Sequence, residues 1–403
     1  MASVASIRSQ SLTTRELLAG IKVIDVDTHV SEWPDLWTSR ASAKWKNLVP
    51  RMVGEGEEKQ WVIGENQFLA ARNAVSAIRK DGHKSYGMEF REWEIPDVME
   101  AAWNTAKRVE MMDEQGIYAQ IAYPNALGFG GQKAMLVEPE LRLESLRLYN
   151  DAMAEMQAES GQRIFPMSLL PWWDVDLSVA ELERCAKMGL KGININPNPN
   201  EHGMPSLGEP YWNRLWEACI HHGQPVNFHI GASDSSTSFL STGVWPERND
   251  NQKLAMGGVL LFINNLVVLG NILMSDLLKN YPQLNIVSVE SGAGWIPYLL
   301  ESLDYMSVQA GQSYEPSLRE RFSRSISACV FFERENIIDT IEKVGADNVM
   351  FETDFPHPTC LYEDLEEHLD RTFDGVDPEV RQKVLWDNAV ALYRLDVPAP
   401  VPA

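Results

Sequence analysis

Short apolar runs alternate with helix-like segments along most of this chain. The runs are rich in Val, Ile, Phe and Met, a composition typical of buried strands. We predict strands near Val23–Asp27, Ala119–Tyr123, Ile164–Leu170, Gly192–Ile195, Val226–His229, Ile286–Glu290, Cys329–Phe332 and Val349–Glu352. Strands that alternate with helices in this way predict a mainly parallel sheet covered by helices.

The segments between the strands carry the 3.6-residue spacing of amphipathic helices. One apolar stripe, which predicts a helix facing the sheet, consists of Val98, Ala102, Ala106, Val109 and Met112. A further helix is predicted at Pro378–Leu395, where it would close the fold. The alternation as a whole favours an α/β fold of the (β/α)₈ type, a TIM-like barrel.

Three segments are additional to the strands and helices that a minimal barrel needs. Residues 32–96, after the first strand, form a lid-like insertion in which Gly54–Gln67 is predicted to be a hairpin. The Ser-, Thr-, Asn- and Asp-rich segment Ala232–Gln252 follows the fifth strand and is predicted to be a long loop. Loops that follow barrel strands lie at the end where active sites are built, so both are candidate lids. The Pro-rich segment Val397–Ala403 is predicted to be a tail.

The composition is that of a globular protein, with 44% hydrophobic and 23% charged residues. We therefore expect residues 1–403 to form one elaborated barrel domain. The formal net charge of -22 argues against a nucleic-acid partner, because such binding relies on basic side chains that neutralise phosphates.

The cysteines are scattered and form no CxxC pair: Cys185, Cys219, Cys329 and Cys360. This pattern predicts reduced thiols and a cytoplasmic protein. The first twenty residues lack the continuous apolar run of a secretory signal.

The segment Leu254–Met274 is nearly continuous in apolar residues and long enough to span a bilayer. Asn264, Asn265 and Asn271 interrupt it, and amides are costly in lipid. We expect a buried helix of the barrel or an interface between subunits, and no membrane partner.

Polar residues that suit a metal ion recur at predicted strand ends. Asp27 and His29 occupy alternate positions at the end of the first strand, so their side chains share one face. A strand-capping turn is the alternative for this pair alone. His229 ends the fifth strand and Asp354 follows the eighth, and this repetition favours a metal site. Imidazole and carboxylate ligands suit Zn, Mn or Fe.

Several motifs together resemble the amidohydrolase superfamily, specifically the amidohydrolase-related branch typified by aminocarboxymuconate-semialdehyde decarboxylase. They are DVDTH (Asp25–His29), FHIG (Phe228–Gly231), ESGAGWIP (Glu290–Pro297), ETDFPHP (Glu352–Pro358) and DNAVALYRL (Asp387–Leu395). The resemblance covers residues 21–395. It implies that a divalent metal is bound by Asp27, His29, His229 and Asp354, although the family's first pair is usually His-x-His or Glu-x-His.

The sixth strand departs from the resembled family, which usually carries a histidine there that activates water or protonates the substrate. Here Glu290 takes that place. A glutamate can act as a general base, ligate a metal, or simply bond to the following Gly-rich turn. The carboxylated lysine of dinuclear relatives has no clear equivalent, because Lys191 precedes the fourth strand.

Further candidates surround these positions. Asp25, Glu32 and His357 are possible ligands of a second metal, so one ion is expected and two are possible. Glu290, Asp354 and His357 are the predicted catalytic residues. Arg51 is a candidate for binding a substrate carboxylate. A substrate-binding wall is predicted from Tyr123, Asn125 and Trp172, with Trp173, Trp33 and Trp37 as further aromatic candidates.

The predicted function is metal-dependent hydrolysis or non-oxidative decarboxylation of a small, carboxylated organic molecule. The missing strand-six histidine slightly favours hydrolysis. One alternative is a dinuclear non-haem iron monooxygenase, since a carboxylate-rich iron site can activate O₂. Another is a catalytically silent scaffold subunit. We expect a homodimer or a hetero-oligomer with a paralogue.

Overall fold

The computed structural model describes residues 23–363 and 365–398, without the side chains of residues 239–242. The N-terminal segment in which no signal was predicted lies outside the described residues, as does most of the predicted Pro-rich tail.

The strands form two parallel sheets and one antiparallel sheet. The orders are β1-β5-β6, β7-β8-β9-β10-β11-β12 and, antiparallel, β2-β3-β4. The strands are β1 (Val23–His29), β2 (Arg51–Val53), β3 (Gln60–Ile63), β4 (Gln67–Ala71), β5 (Ile117–Tyr123), β6 (Ile164–Pro166), β7 (Ser168–Leu169), β8 (Ile193–Asn194), β9 (Val226–His229), β10 (Ile286–Val289), β11 (Ile326–Val330) and β12 (Val349–Phe351).

Helices connect most of the parallel strands. Several begin at a side-chain cap, such as Asn104, Asp174 and Asn249, which satisfies amide groups of the first turn. The helices are α1 (Thr105–Glu114), α2 (Pro139–Glu159), α3 (Val175–Met188), α4 (Asn213–His222), α5 (Asp234–Thr242), α6 (Asp250–Met274), α7 (Leu277–Asn280), α8 (Ile296–Gln309), α9 (Leu318–Ser325), α10 (Ile337–Val344), α11 (Leu365–Phe373), α12 (Pro378–Gln382) and α13 (Asn388–Tyr393).

The predicted third strand changes neighbours at Met167 and so links the two parallel sheets. The amide of Met167 donates to Ala122 O of β5 (2.8 Å), whereas the amide of Ser168 donates to Gly192 O beside β8 (3.0 Å). At the other edge, Asp354 N donates to Asp27 O (2.8 Å) and His29 N to Phe355 O (2.6 Å). This arrangement of parallel strands and helices is consistent with a TIM barrel.

Each predicted strand has an observed counterpart, with shifts at the ends. The predicted strand Cys329–Phe332 was placed too late, because β11 begins at Ile326, directly after α9, and ends at Val330. The predicted helical stripe from Val98 was also wrong at its start. Short 3₁₀ turns occupy 95–97 and 100–102, and the α-helix begins only at Thr105, after its Asn104 cap.

The segment between β1 and α1 contains the antiparallel sheet, of which the predicted hairpin Gly54–Gln67 is the central part. This segment contacts the ends of parallel strands. Ala77 N donates to Pro356 O (2.8 Å), and the Lys133 ammonium donates to Leu69 O.

The predicted loop Ala232–Gln252 is largely helical, which corrects the sequence prediction. Ser and Thr are weak helix formers but good caps. Ser236 N donates to Ser233 Oγ (3.3 Å), and Glu201 accepts from the amides of Asp234 and Ser235 (3.1 and 3.2 Å). These bonds start α5.

The closing helix is confirmed, with an interruption. Asp377 caps α12, a π turn covers Lys383–Asp387, and α13 completes the segment before Arg394 adopts a left-handed backbone (φ 50°).

Helix α6 is long and apolar enough to cross a membrane by length and composition alone. It packs on the sheet, however, through a buried amide: Asn265 Nδ2 donates to Phe228 O (3.1 Å) and to Ser288 Oγ (3.1 Å). Of the two predicted alternatives, a buried helix or an interface between subunits, the structure shows a helix that packs on the parallel strands with one side. Its opposite side exposes Val259 and Val267. The four cysteines are buried free thiols.

Candidate metal centre

Five side chains that can bind a metal meet where parallel strands end. Asp27 and His29 come from β1, His229 ends β9, Glu290 follows β10 and Asp354 follows shortly after β12. All are buried, and the most exposed of them, Glu290, is only 5% exposed. The carboxyl ends of the parallel strands thus gather the predicted ligands, as expected for a barrel active site.

The nitrogen and oxygen atoms of these residues lie at close range. His29 Nε2 and His229 Nε2 are 3.0 Å apart, and Glu290 Oε2 lies 3.2 Å from His229 Nε2. Asp354 Oδ1 is 3.6 Å from His29 Nε2. Asp27 Oδ1 is 3.7 Å from His29 Nε2 and 3.6 Å from His229 Nε2. Asp27, His29, His229 and Glu290 each offer an atom within 4.8 Å of the others, so these four could hold one ion.

The hydrogen bonds of the imidazoles indicate which atoms face that centre. His229 Nδ1 lies 2.8 Å from Ile230 O, and His29 Nδ1 lies 3.4 Å from Pro124 O. Carbonyls only accept, so each Nδ1 carries the proton and each Nε2 presents a lone pair. Two lone pairs facing each other are repulsive.

The carboxylates present the same problem. Both oxygens of Asp27, together with Glu290 Oε2 and Asp354 Oδ1, are buried without a hydrogen-bond partner. A divalent cation satisfies these oxygens and both imidazoles at once, so the residues fit a metal ion.

Two of the carboxylates have unusual backbones. Glu290 (φ 57°) and Asp354 (φ 61°) adopt left-handed conformations that non-glycine residues rarely use. Backbone bonds hold these turns: Glu290 N donates to Glu352 Oε2 (3.2 Å) and Asp354 N to Asp27 O (2.8 Å). Such strain concentrates at functional sites, where it aims side chains that a regular strand would not.

His357 adds a second, overlapping group of potential ligands with His29, Glu290 and Asp354. Its ring stacks on His29 (3.6 Å between centroids), and its Nδ1 lies 3.1 Å from Asp354 Oδ1. Its Nε2 lies 2.8 Å from Asn125 Oδ1, whose amide nitrogen already donates to Val30 O. Asn125 Oδ1 must accept, so Nε2 carries the proton and Nδ1 faces Asp354.

Burial dominates the electrostatics. It lowers the pKa of His229 to about 4 and that of His29 well below its usual value, so both imidazoles are neutral, as metal ligands must be. Burial, reinforced by Asp354, raises the pKa of Asp27 and Glu290 well above the usual range. A bound cation would counter this effect by favouring the ionised forms.

Two predicted second-metal ligands are not in either group. Asp25 accepts from Thr353 N (2.8 Å), Thr353 Oγ1 (2.6 Å) and Gln120 Nε2 (3.0 Å). Glu32 accepts from the amides of Asn125 and Ala126 (2.8 and 2.9 Å). These carboxyls hold strands and loops around the centre.

The predicted substrate residues are partly brought together. Tyr123 lies beside the centre, with its ring 5.1 Å from that of His229, and Asn125 reaches it through His357. Trp172 is buried and donates to Gly130 O (2.9 Å). Arg51 is not part of the site: its guanidinium donates to Gly64 O and Asn66 Oδ1 within the antiparallel sheet (both 3.0 Å).

The sequence analysis missed three residues at the centre. Phe129 lies against the imidazoles, with its ring 4.4 Å from His229 and 5.0 Å from His29. Glu352 holds the Glu290 turn, and Thr359 donates its hydroxyl proton to Asp354 Oδ2. Only Glu352 carried a signal, because it ends the predicted strand Val349–Glu352, two positions before Asp354. Phe129 and Thr359 lie in loops, and loops have no periodic pattern from which a position can be predicted.

Comparisons with known proteins agree with this geometry. The model of the Amidohydrolase family matches residues 24–395. A gamma-resorcylate decarboxylase from Polaromonas sp. JS666 is 27% identical over 307 residues, which cover 72% of this chain and 87% of that protein. A second one, from Rhizobium sp. MTP-10005, is 25% identical over 72% of this chain and 86% of its own length.

Solved structures share the fold. An amidohydrolase from Mycobacterium avium subsp. paratuberculosis K-10 superposes with a TM-score of 0.74, at 21% identity, over 93% of this chain and 99% of that one. A dihydroxybenzoic acid decarboxylase from Polaromonas sp. JS666, with bound manganese and the inhibitor 2-nitroresorcinol, gives a TM-score of 0.54 at 23% identity, over 74% and 88% of the two chains. The chain therefore belongs to the amidohydrolase family and is an enzyme of its decarboxylase-related branch.

Proposed function

We propose that this enzyme catalyses the manganese-dependent, non-oxidative decarboxylation of a hydroxylated aromatic acid. One observation carries the proposal. The Nε2 atoms of His29 and His229 are buried 3.0 Å apart, among carboxylate oxygens that have no hydrogen-bond partner. This donor set suits Mn²⁺. The relatives that act on resorcylate support the substrate class.

The metal ligands are Asp27, His29, His229 and Asp354, with Glu290 as a fifth. A divalent cation held there would supply the positive charge that anchors an acidic substrate and withdraws electron density from it. The surrounding residues keep the ligands oriented, since Thr359 fixes Asp354 and Glu352 fixes the turn of Glu290.

The reaction requires a proton at a defined place. When the bond between the ring carbon and the carboxyl group breaks, CO₂ leaves and its bonding electrons stay on the ring carbon, which must then take a proton. His357 Nδ1 lies 3.1 Å from Asp354 Oδ1, beside the proposed ligands. We assign proton delivery to this pair, and Asn125 keeps the His357 ring in place.

Decarboxylation replaces hydrolysis as the preferred reaction because the curated relatives are decarboxylases. The dinuclear iron monooxygenase is a second candidate. Its support is that two ligand groups overlap and share His29 and Glu290. Metal analysis separates the two, since two irons per chain with O₂ consumption would favour the oxygenase.

The test is to load purified protein with Mn²⁺ and to supply 2,6-dihydroxybenzoate under argon. We expect CO₂ and resorcinol in equal amounts without any oxidant. Asp354→Asn should lose this activity, whereas Asp347→Asn, at an exposed carboxylate, should keep it. A manganese-loaded enzyme that leaves a panel of hydroxylated benzoates unchanged would overturn the proposal.

Several other features belong to the same proposal. We infer that the parallel strands close into one (β/α)₈ barrel between β12 and β1, that residues 1–403 form a single domain, and that 32–96 acts as a lid. A cytoplasmic location and a homodimer or a hetero-oligomer with a paralogue remain predictions.

A further inference from the structure

A partly exposed aromatic ring, that of Phe129, packs against the histidines of the candidate metal centre. His29, Asp27 and Asp354 are fully buried, and His357 is 4% exposed. Phe129 is only partly buried and lies against all three histidine rings. The distances between ring centroids are 4.4 Å to His229, 5.0 Å to His29 and 5.7 Å to His357. Phe129 is therefore a partly exposed side chain in contact with buried ligands, as expected of a residue on a route to the site.

The backbone that carries Phe129 is fastened on several sides. Asn194 Nδ2 donates to Phe129 O, and Trp172 Nε1 donates to Gly130 O (2.9 Å). Gln132 Nε2 donates to Gly231 O (2.9 Å). A Cβ atom at Gly130 would lie 2.5 Å from Ala232 O, so the loop is in close contact with the segment after β9.

The ring itself makes only packing contacts with Gly231 and the imidazoles. It occupies space left by Gly231, where a Cβ atom would lie 3.2 Å from Phe129 Cδ2. Gly231 has a φ of 67°, so a side chain there would also be strained. Rotation of the Phe129 side chain about its own bonds would uncover the imidazoles without breaking these backbone hydrogen bonds.

We propose that Phe129 is both the gate of the metal centre and the aromatic wall that selects the substrate. Its ring rotates away from the histidines to admit an aromatic acid and then packs against the ring of that substrate. Offset or edge-to-face packing of two rings favours a flat aromatic ligand over an aliphatic acid of similar size. The substrate part of this inference rests on the proposed function, and the gating part does not.

Removal of bound manganese by a chelator tests the gate without any turnover. Phe129→Ala should release manganese at least about tenfold faster than the unaltered enzyme, the factor that a barrier lower by about 1.4 kcal/mol gives. Phe129→Leu should fall between them, and all variants should bind the same amount of manganese at saturation. Phe68→Ala is the matched control, because Phe68 is 54% exposed on the antiparallel sheet.

The substrate wall is tested by kinetics on Phe129→Leu, which keeps the bulk of the side chain. KM for 2,6-dihydroxybenzoate should rise several-fold with a smaller change in kcat. If Phe129→Ala and Phe129→Leu bind normal amounts of manganese and release it at an unchanged rate, Phe129 is not a gate. If KM is unchanged in Phe129→Leu, its ring does not contact the substrate. Unaltered protein that binds no manganese would instead overturn the metal centre and the gate together.

Discussion

Glu290→Gln should raise the stability of the metal-free protein and reduce the additional stability that manganese gives. Glu290 shares its surroundings with Asp27 and Asp354, and all three carry an oxygen that has no hydrogen-bond partner. Glutamine has nearly the same shape, carries no charge and brings two amide protons that these oxygens can accept. Metal-free protein should become more stable, and manganese should stabilise it less.

The magnitude follows from the distances. The ligand oxygens of Glu290 and of each neighbouring aspartate lie within 4.8 Å. At an effective dielectric constant of about 20, each ionised pair therefore repels by at least about 3.5 kcal/mol. Protonation already relieves part of this repulsion, so we expect a gain of about 1–3 kcal/mol in the metal-free protein. A tenfold weaker affinity for manganese would remove about 1.4 kcal/mol of the stabilisation by the metal.

The assay is denaturant unfolding of chelated and of manganese-saturated protein at pH 7.5, with metal content measured in parallel. Glu301→Gln, at an exposed glutamate of α8, is the control and should change neither curve. Metal-free Glu290→Gln protein that is less stable than the unaltered chain would refute the repulsion. An unchanged response to manganese would show that Glu290 is not a ligand.

Three further predictions concern single groups. His229→Ala should remove most of the bound metal and all activity while the fold persists, and normal metal content by elemental analysis would exclude it as a ligand. Asp354→Asn should lower kcat by roughly 10²–10⁴, the usual contribution of acid–base catalysis, with little effect on folding, and unchanged turnover would refute its role. Burial raises the pKa of Glu32 from 4.5 to about 7, so the folded protein keeps a proton that the unfolded chain loses. The contribution of Glu32 to the stability of the metal-free protein should therefore fall between pH 4.5 and 7, by roughly 3 kcal/mol, and Glu32→Gln should remove this part of the dependence in urea titrations.

The sequence identified the strand ends well because their signal is local. A run of apolar residues that stops at His29 or His229 carries its own period, and alternate residues of a strand share a face wherever the strand lies. The boundaries were less well predicted where a cap competes with periodicity. The Asn104 cap places the start of α1 after the first residues of the apolar stripe. Ser233 accepts from the Ser236 amide at the start of α5, inside the predicted loop.

Arg51 illustrates the opposite case. Its type and position suited a carboxylate, but its partners in the structure are carbonyl and amide oxygens of the antiparallel sheet. Hydrogen bonds between residues distant in sequence decide this, and they have no local pattern.

The sequence by itself determined the order of the strands and the chemical character of the metal ligands, since both depend on residue type and spacing. Only the tertiary structure decided which carboxylates lie unpaired in the candidate metal centre and which are saturated by donors. Asp27 and Asp25, two residues apart, demonstrate the two outcomes. It also placed Phe129 over the histidines. These outcomes depend on contacts between loops that follow different strands, and such contacts exist only once the strands have brought their ends together.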